Sequence, residues 1–460
     1  MPKLQEAKKL FDAPKFYALL AELYGQDEKT IRHHLDRYQR LISQYQQHFG
    51  ADDLQLFSTP GRTEIGGNHT DHNHGRVLAA AVNLDSIAAA AKTTNDKIVL
   101  CSEGFPNPFI VDLRQLGPDP QETGTTTALI RGIAARFKEL NLPIGGFKVC
   151  VASEVASGSG LSSSASIEVL IATILNHLYN DGRVAPEALA LIGQYAENNY
   201  FNKPCGLMDQ LTIAVGGIVT IDFENPQNPI FKKVNFDFGA QNYSVLVVNT
   251  GGSHADLTED YAAIPQEMKR VAQALGKNVC REIAFDELLN NIVTLRSQVG
   301  DRAVLRALHF LGDNARVVEQ VRALEKGDFA AFLRLVNESG NSSNKWLQNI
   351  YPSKSPSEQG LNLALAFTED YLKAIGAGAC RVHGGGFAGT IQVFLPNAAL
   401  GEYVERMRGL FGEHAVSVLK IRPQGTLKIL FYSQQKVSCK GPARRGKGIA
   451  KKIWACGFSY

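Results

Sequence analysis

The segment Ser157-Gly158-Ser159-Gly160-Leu161-Ser162-Ser163-Ser164-Ala165, set between a strand-like run and a long apolar helix, restricts this chain more than any other feature. The run ahead, Phe147-Lys148-Val149-Cys150-Val151-Ala152, is apolar in the manner of a strand. Behind the loop, Ser166 to Tyr179 carries Ile167, Leu170, Ile171, Ile174, Leu175 and Leu178 on one side, the spacing of an amphipathic helix. Glycines let the backbone approach a ligand closely at positive φ. The serines stand where the helix begins, beside N–H groups with no intrahelical partner, and a helix N-terminus is already an anion site through those donors and its dipole. Alone, the segment also reads as a Gly/Ser turn with an ordinary serine cap; its flanking strand and helix favour a loop that holds phosphates. It is not a P-loop, which requires GxxxxGK[ST]. The near miss Gly441-Pro442-Ala443-Arg444-Arg445-Gly446-Lys447-Gly448 has glycine at the hydroxyl position and lies in a basic stretch, so it reads as a solvated cationic tail.

The remaining composition narrows the class. A chain of 460 residues has room for two to three domains, and 44% apolar with 20% charged residues is the balance of a folded globular protein. A net charge of +3 gives no reason to expect nucleic acid or an anionic membrane as partner. The seven cysteines are scattered, odd in number and never spaced CxxC, which fits reduced thiols rather than disulfides or zinc. The first residues are broken by charges and lack a signal-peptide core. The most apolar stretch, Val77 to Ala91, contains Asn83 and Asp85 and is too short to span a bilayer. A cytoplasmic location is expected.

Residues 1–50 carry apolar positions at helical spacing and read as a helical arm on the main body. Leu54 to Ser58 reads as a strand ended by a turn at Thr59-Pro60-Gly61, and Pro186 to about Tyr200 as a helix. Glu224-Asn225-Pro226-Gln227-Asn228-Pro229 reads as a boundary between units 51–229 and 230–435, with a basic tail at 436–460. The second unit begins with the strand Tyr243 to Asn249, continues through helices near 259–275, 301–326 and 327–340, and closes with strands Gly389 to Leu395 and Thr426 to Tyr432. Strands and helices interleave without a regular βαβ repeat, which predicts an α+β fold.

Five segments in order then match a known family. The phosphate loop resembles the second motif of the GHMP kinases, the superfamily of galactokinase, homoserine kinase, mevalonate kinase and phosphomevalonate kinase. Pro60-Gly61-Arg62-Thr63-Glu64-Ile65-Gly66-Gly67-Asn68-His69-Thr70-Asp71-His72-Asn73 resembles the galactokinase signature PGRVNLIGEHTDYN. Val382-His383-Gly384-Gly385-Gly386-Phe387-Ala388-Gly389 resembles the third motif, commonly MTGGGFGG. Ala196-Glu197-Asn198-Asn199-Tyr200 and Cys205-Gly206-Leu207-Met208-Asp209-Gln210 resemble the AENEY and CGIMDQ segments.

The resemblance implies a two-domain GHMP kinase fold, a mixed α/β N-terminal domain and a ferredoxin-like C-terminal domain with the active site in the cleft. It implies transfer of phosphate from ATP, with Mg²⁺, to the anomeric hydroxyl of galactose. It places Asp209 as catalytic base with Arg62 beside it. Arg62, Asn68, His69, Asp71, Gly206, Asp209 and Tyr261 would bind the sugar, and Gly158, Ser159, Gly160, Leu161, Ser162, Ser163 and Ser164 the ATP phosphates. Ser164 and Glu197 would hold the metal. Sugar and ATP are the expected partners, and a monomer is expected.

Without the signature, His69, Asp71, His72 and His74 resemble a metal cluster, Tyr261 a helix tyrosine, and Asp209 a buried capping residue. The chain departs from the pattern at Asn68 (usually Glu), His72 (usually Tyr) and His383 (often Thr), and has Thr126 and Leu129 where a W-x-x-Y pair is frequent. The first two bear on sugar identity, leaving N-acetylgalactosamine or arabinose as alternative substrates. A catalytically silent sugar sensor is the alternative of another class, against which stand the three serines, Asp209 and Arg62.

Overall fold

The computed structural model describes residues 11, 13–50, 52–156, 158, 160–203, 205–252 and 257–429. Ser159, the 436–460 tail with its near-miss glycine segment, and the last part of the Thr426–Tyr432 strand lie outside these residues.

The first half is built on one long strand. Strand β1 (Gln55–Gly66) pairs antiparallel along most of β2 (Arg76–Lys92), from Gln55 opposite Ala90 to Gly66 opposite Leu78. The other edge of β2 is divided. Its later half pairs with β5 (Phe147–Ser153), and its earlier half with β6 (Ile218–Asp222). Strands β3 (Lys97–Ser102) and β4 (Phe109–Asp112) extend the sheet beyond β5, and β7 (Ile230–Val234) extends it beyond β6. The apolar Val77–Ala91 run is therefore the centre of the sheet, buried on both faces for nearly its whole length.

Both faces are covered. Helices α1 (Pro14–Tyr24) and α2 (Glu28–Phe49) lay Leu20, Tyr24, Tyr38, Leu41 and Tyr45 against Leu56, Ile87, Ala89 and Cys150. On the opposite face pack α3 (Thr126–Glu139), α4 (Ser163–Tyr179), α5 (Pro186–Ala196) and α6 (Met208–Val215).

Strand β8 (Tyr243–Asn249) starts the second sheet, and four helices follow it: α7 (Thr258–Ala274), α8 (Phe285–Asn290), α9 (Ile292–Val299) and α10 (Asp301–Lys326). After α11 (Phe329–Ser342) come α12 (Gly360–Ile375), β9 (Ala379–His383), β10 (Thr390–Pro396), α13 (Leu400–Phe411) and β11 (Val416–Leu419). The order in the sheet is β11-β8-β10-β9, all antiparallel. With α12 between β8 and β9 and α13 between β10 and β11, this is a ferredoxin-like βαββαβ unit with the helices α7–α11 inserted. The fold is α+β, as expected.

Three readings of the sequence are corrected. The Thr59-Pro60-Gly61 turn is strand interior: β1 runs on to Gly66, with register shifts between Pro60 and Arg62 and between Glu64 and Gly66. Proline is tolerated within a sheet at such an irregularity because no ladder N–H is demanded of it. The polar stretch Glu224 to Pro229 is the turn of the β6–β7 hairpin, so the first sheet continues to Val234. Finally, the chain returns at its far end: β12 (Leu427–Ile429) pairs with β1 at the edge of the first sheet. The described cysteines are all free thiols, and no described helix is long and apolar enough to cross a membrane.

Candidate active site

The register shift after Pro60 re-aims the side chain that follows it, as β-bulges do. That side chain is Arg62. Its backbone N–H donates to Leu161 O at 3.0 Å, an approach that Gly61 permits, since a Cβ there would lie 2.8 Å from the same carbonyl. The guanidinium donates to Gly160 O and clasps Asp209 from two nitrogens, Nε to Oδ1 at 2.6 Å and Nη2 to Oδ2 at 2.7 Å. Two parallel N–H···O bonds are the strongest geometry an arginine offers a carboxylate. Asp209 sits in the first turn of α6, half-buried, and also accepts from Ser162 Oγ. Burial pushes its pKa up, but Arg62, Ser162 and Lys203 outweigh that and hold the carboxyl below its ordinary range.

The phosphate loop reaches this pair by unusual backbone. Gly158 and Gly160 have φ of 75° and 72°, and Ser162 is left-handed at φ 62° directly ahead of α4. Leu161 is buried, and its carbonyl is taken by the Arg62 N–H. Behind Gly160 stands His383, 2.8 Å from where a Cβ would be. Its Nε2 lies 3.3 Å from the Glu64 N–H, which makes that nitrogen an acceptor, and Nδ1 is 3.0 Å from Thr390 Oγ1. Burial, with Arg62 and Arg381 nearby, keeps this imidazole neutral. The third-motif histidine thus braces the loop from the second sheet.

Helix α5 ends in a π-helical turn, Glu197–Phe201, closed by left-handed Asn202 and by the Lys203 N–H on Glu197 O at 3.1 Å. That turn carries Glu197 into the cleft. Ser164 Oγ and Lys203 Nζ both meet Glu197 Oε1, at 3.2 and 3.1 Å. Gln210 Nε2 bridges Glu197 Oε2 at 2.8 Å and Glu168 Oε2 at 2.9 Å. Glu168 is fully buried, and burial followed by the Glu197 charge raises its pKa well above the usual range. Glu168 Oε1 is buried with no hydrogen-bond partner. A serine hydroxyl beside carboxylates, one with an unsatisfied oxygen behind it, is a hard-oxygen donor set of the kind Mg²⁺ takes.

On the far side of Asp209, Gly206 faces Asp71: a Cβ on Gly206 would lie 2.3 Å from Asp71 Oδ2. Asp71 keeps one oxygen on the His72 N–H at 3.0 Å. His69 Nε2 donates to Gly385 O at 2.8 Å, and burial lowers its pKa to about 4, so the ring is neutral. Tyr261 donates to Gly386 O at 3.1 Å, with its ring against Gly385 and edge-on to Phe387. Asn68 is corrected. It is fully buried; its amide donates to Glu64 Oε1 and Gly384 O, and its carbonyl accepts from Asn349 and Ser343, so it has nothing left for a sugar. It joins the signature loop to the glycine motif instead.

Sequence reasoning missed Lys203, Gln210 and Glu168. A charge at Glu168, between Ile167 and Val169 on an apolar helix, was the available signal. Lys203 lies in the gap between two matched motifs and gave none. Of the W-x-x-Y positions, Thr126 opens α3 and Leu129 is buried within it.

A two-sheet molecule of this topology, with a glycine–serine loop at a helix N-terminus facing an Asp–Arg pair, is a GHMP kinase. The family described as "GHMP kinases N terminal domain" matches residues 128–217, and "Galactokinase galactose-binding signature" matches residues 43–92. The human galactokinase is 30% identical over 392 residues, 83% of this chain and 94% of the human protein. The galactokinase of Glaesserella parasuis is 30% identical over 386 residues, 81% of this chain and 92% of its own. Among solved structures, Lactococcus lactis galactokinase complexed with galactose superposes with a TM-score of 0.73 at 23% identity, covering 85% of this chain and all of that one. Mevalonate kinase of Methanococcus jannaschii gives 0.58 at 16% identity, over 80% of this chain and 98% of its own. The chain belongs to the galactokinase family.

Proposed function

We propose that the chain transfers the γ-phosphoryl group of ATP to the anomeric hydroxyl of galactose, giving galactose 1-phosphate and ADP. The observation that carries this reading is the Arg62 guanidinium, which holds Asp209 from two nitrogens and Gly160 O of the phosphate loop at once. One side chain thereby fixes the distance between acceptor and donor sites, and phosphoryl transfer depends chiefly on such positioning.

In this reading Asp209 accepts a hydrogen bond from the anomeric hydroxyl. As an ionised carboxylate it is a weak base for an alcohol, so it orients the hydroxyl and takes its proton late, as the O–P bond forms. Backbone N–H groups at the start of α4 and the hydroxyls of Ser162, Ser163 and Ser164 receive the phosphates. Ser164 and Glu197 are the protein ligands for Mg²⁺, which when bound neutralises phosphate charge. His69 and Asp71 bind sugar hydroxyls. Since the Nε2 proton of His69 is committed to Gly385 O, its Nδ1 is left as an acceptor. Gly206 leaves room beside Asp71, and Tyr261 closes the pocket. The N-terminal unit, with the hairpin through Val234 added to it, supplies the loop, Arg62 and Asp209; the C-terminal unit supplies Tyr261 and the glycine motif.

The test is ADP release from ATP and Mg²⁺ with a panel of free sugars, alongside Asp209→Asn. Release with galactose that falls about 10²–10⁴-fold in the variant is expected. Faster turnover of N-acetylgalactosamine or arabinose would move the substrate, and sugar binding without turnover would replace the enzyme with a sensor.

A further inference from the structure

The cleft contains a cation that the scheme above does not use. Lys203 Nζ stands 3.1 Å from Glu197 Oε1 while its side chain remains 61% exposed, reaching over a carboxylate that is itself only 3% exposed. It is also close enough to Asp209 on α6 and to Tyr261 on α7 for its charge to bear on both. The ammonium thus touches the π-helical turn after α5 through Glu197 and lies within charge range of Asp209 on α6 and Tyr261 on α7, where phosphoryl donor and sugar would meet. Its backbone is fixed by the Asn202 turn and the N–H bond to Glu197 O, while its four-carbon stem can swing.

A lysine this exposed gains little from its own burial, and its charge offsets that of the buried Glu197. Two other facts define its use. Lys203 and Ser164 share Glu197 Oε1, so the ammonium occupies the oxygen proposed for the divalent cation, and the two cations compete for it. Arg62, the other cation at Asp209, is committed to that carboxylate and to Gly160 O. Of the two cations at Asp209, Lys203 is thus the one whose ammonium can turn to the transferred group.

We propose that Lys203 is a catalytic residue of the phosphoryl transfer: with nucleotide bound, its ammonium leaves Glu197 and donates to an oxygen of the γ-phosphoryl group. This rests on the kinase reading given above. Lys203 gives up and takes no proton. The sugar oxygen forms its bond to Pγ, the bond from Pγ to the β–γ bridging oxygen breaks with its electron pair staying on ADP, and the hydroxyl proton passes to Asp209. The ammonium neutralises charge on the group in flight, as a cis-acting arginine does in other phosphotransferases.

The experiment compares wild type, Lys203→Met and Lys203→Arg in steady-state turnover with galactose, and in calorimetric binding of ATP without metal, in EDTA. For Lys203→Met, kcat falls about 10²–10³-fold with KM for galactose within about twofold, and Lys203→Arg recovers about tenfold of that loss. Affinity for metal-free ATP falls about tenfold in Lys203→Met, a change that a purely structural lysine would not cause. A kcat within about threefold of wild type, or an unchanged metal-free affinity, overturns the proposal. If wild type releases no ADP with any sugar, the kinase reading has failed, and the EDTA titration alone then decides whether Lys203 is a phosphate ligand.

Discussion

A side chain's chemistry here is set by which neighbours are missing as much as by which are present. Gly206 shows this most directly, since a methyl group there would press on Asp71 Oδ2 from 2.3 Å. Gly206→Ala is expected to push Asp71 out of place at a cost of about 1–3 kcal/mol. In kinetics this reads as a rise in KM for the sugar of about tenfold or more, with the melting temperature modestly lowered; an unchanged KM would remove Asp71 from the sugar site. Arg62, Asp209 and the serine loop were legible because each lies inside a motif whose spacing fixes it. Asn68 was not. A signature position reads as a ligand, yet burial and four hydrogen bonds make this one a joint between β1 and the glycine motif. Lys203, Gln210 and Glu168 went unread for another reason: they come from a turn and two helices, and only packing gathers them around Glu197.

At the level of elements, the helical arm is joined to the sheet by more than apolar contact. Asp85, fully buried on β2, accepts from Tyr24 Oη at 2.6 Å, Arg37 Nη1 at 2.9 Å, Arg422 Nη1 at 3.3 Å, and Ser58 Oγ. Burial acts to raise its pKa, but the two arginines and the hydroxyls prevail and lower it. Asp85→Ala leaves Arg422 buried without its acid and Arg37 with Glu154 alone, and is expected to cost about 3–5 kcal/mol, measured as a lower urea midpoint. The helices read from periodicity, α10 from end to end, were legible because their apolar stripes repeat, whereas α3, α6, α8, α9, α12 and α13 were not read. Strand β1 was not, since proline and glycine at 60 and 61 mark a turn in isolation and a bulge only when a partner strand continues past them. Nor does anything local in Leu427–Ile429 say that it pairs with β1.

For the whole molecule, acid sensitivity follows from histidines held neutral. Burial, the first cause in each case, lowers the pKa of His34 to about 3 and of His69 to about 4, and lowers His309 and His383 as well. An unfolded chain takes these protons near pH 6.5 and the folded one does not. Their contribution is therefore fully present above pH 6.5 and is lost as pH falls below it, by up to about 1.4 kcal/mol per unit for each group. Burial raises the pKa of Glu64 and, further, of Glu168, so these two titrate in the opposite sense and lessen the slope. Melting temperature should rise from pH 5.5 to 7.5; a flat or falling profile would contradict the burial of these rings. The return of the chain at β12 has a further consequence, for synthesis. Residues 420–429 lace the first sheet shut: Arg422 enters the Asp85 cluster, the Thr426 N–H bonds Ile213 O on the helix that carries Asp209, and β12 covers the free edge of the strand that carries Arg62. A nascent chain that has emerged only through β11 thus presents an open strand edge. The Arg62–Asp209 pair is thus braced from behind only once residues 420–429 have been made, so a polypeptide that already holds every residue of the site can still lack its support.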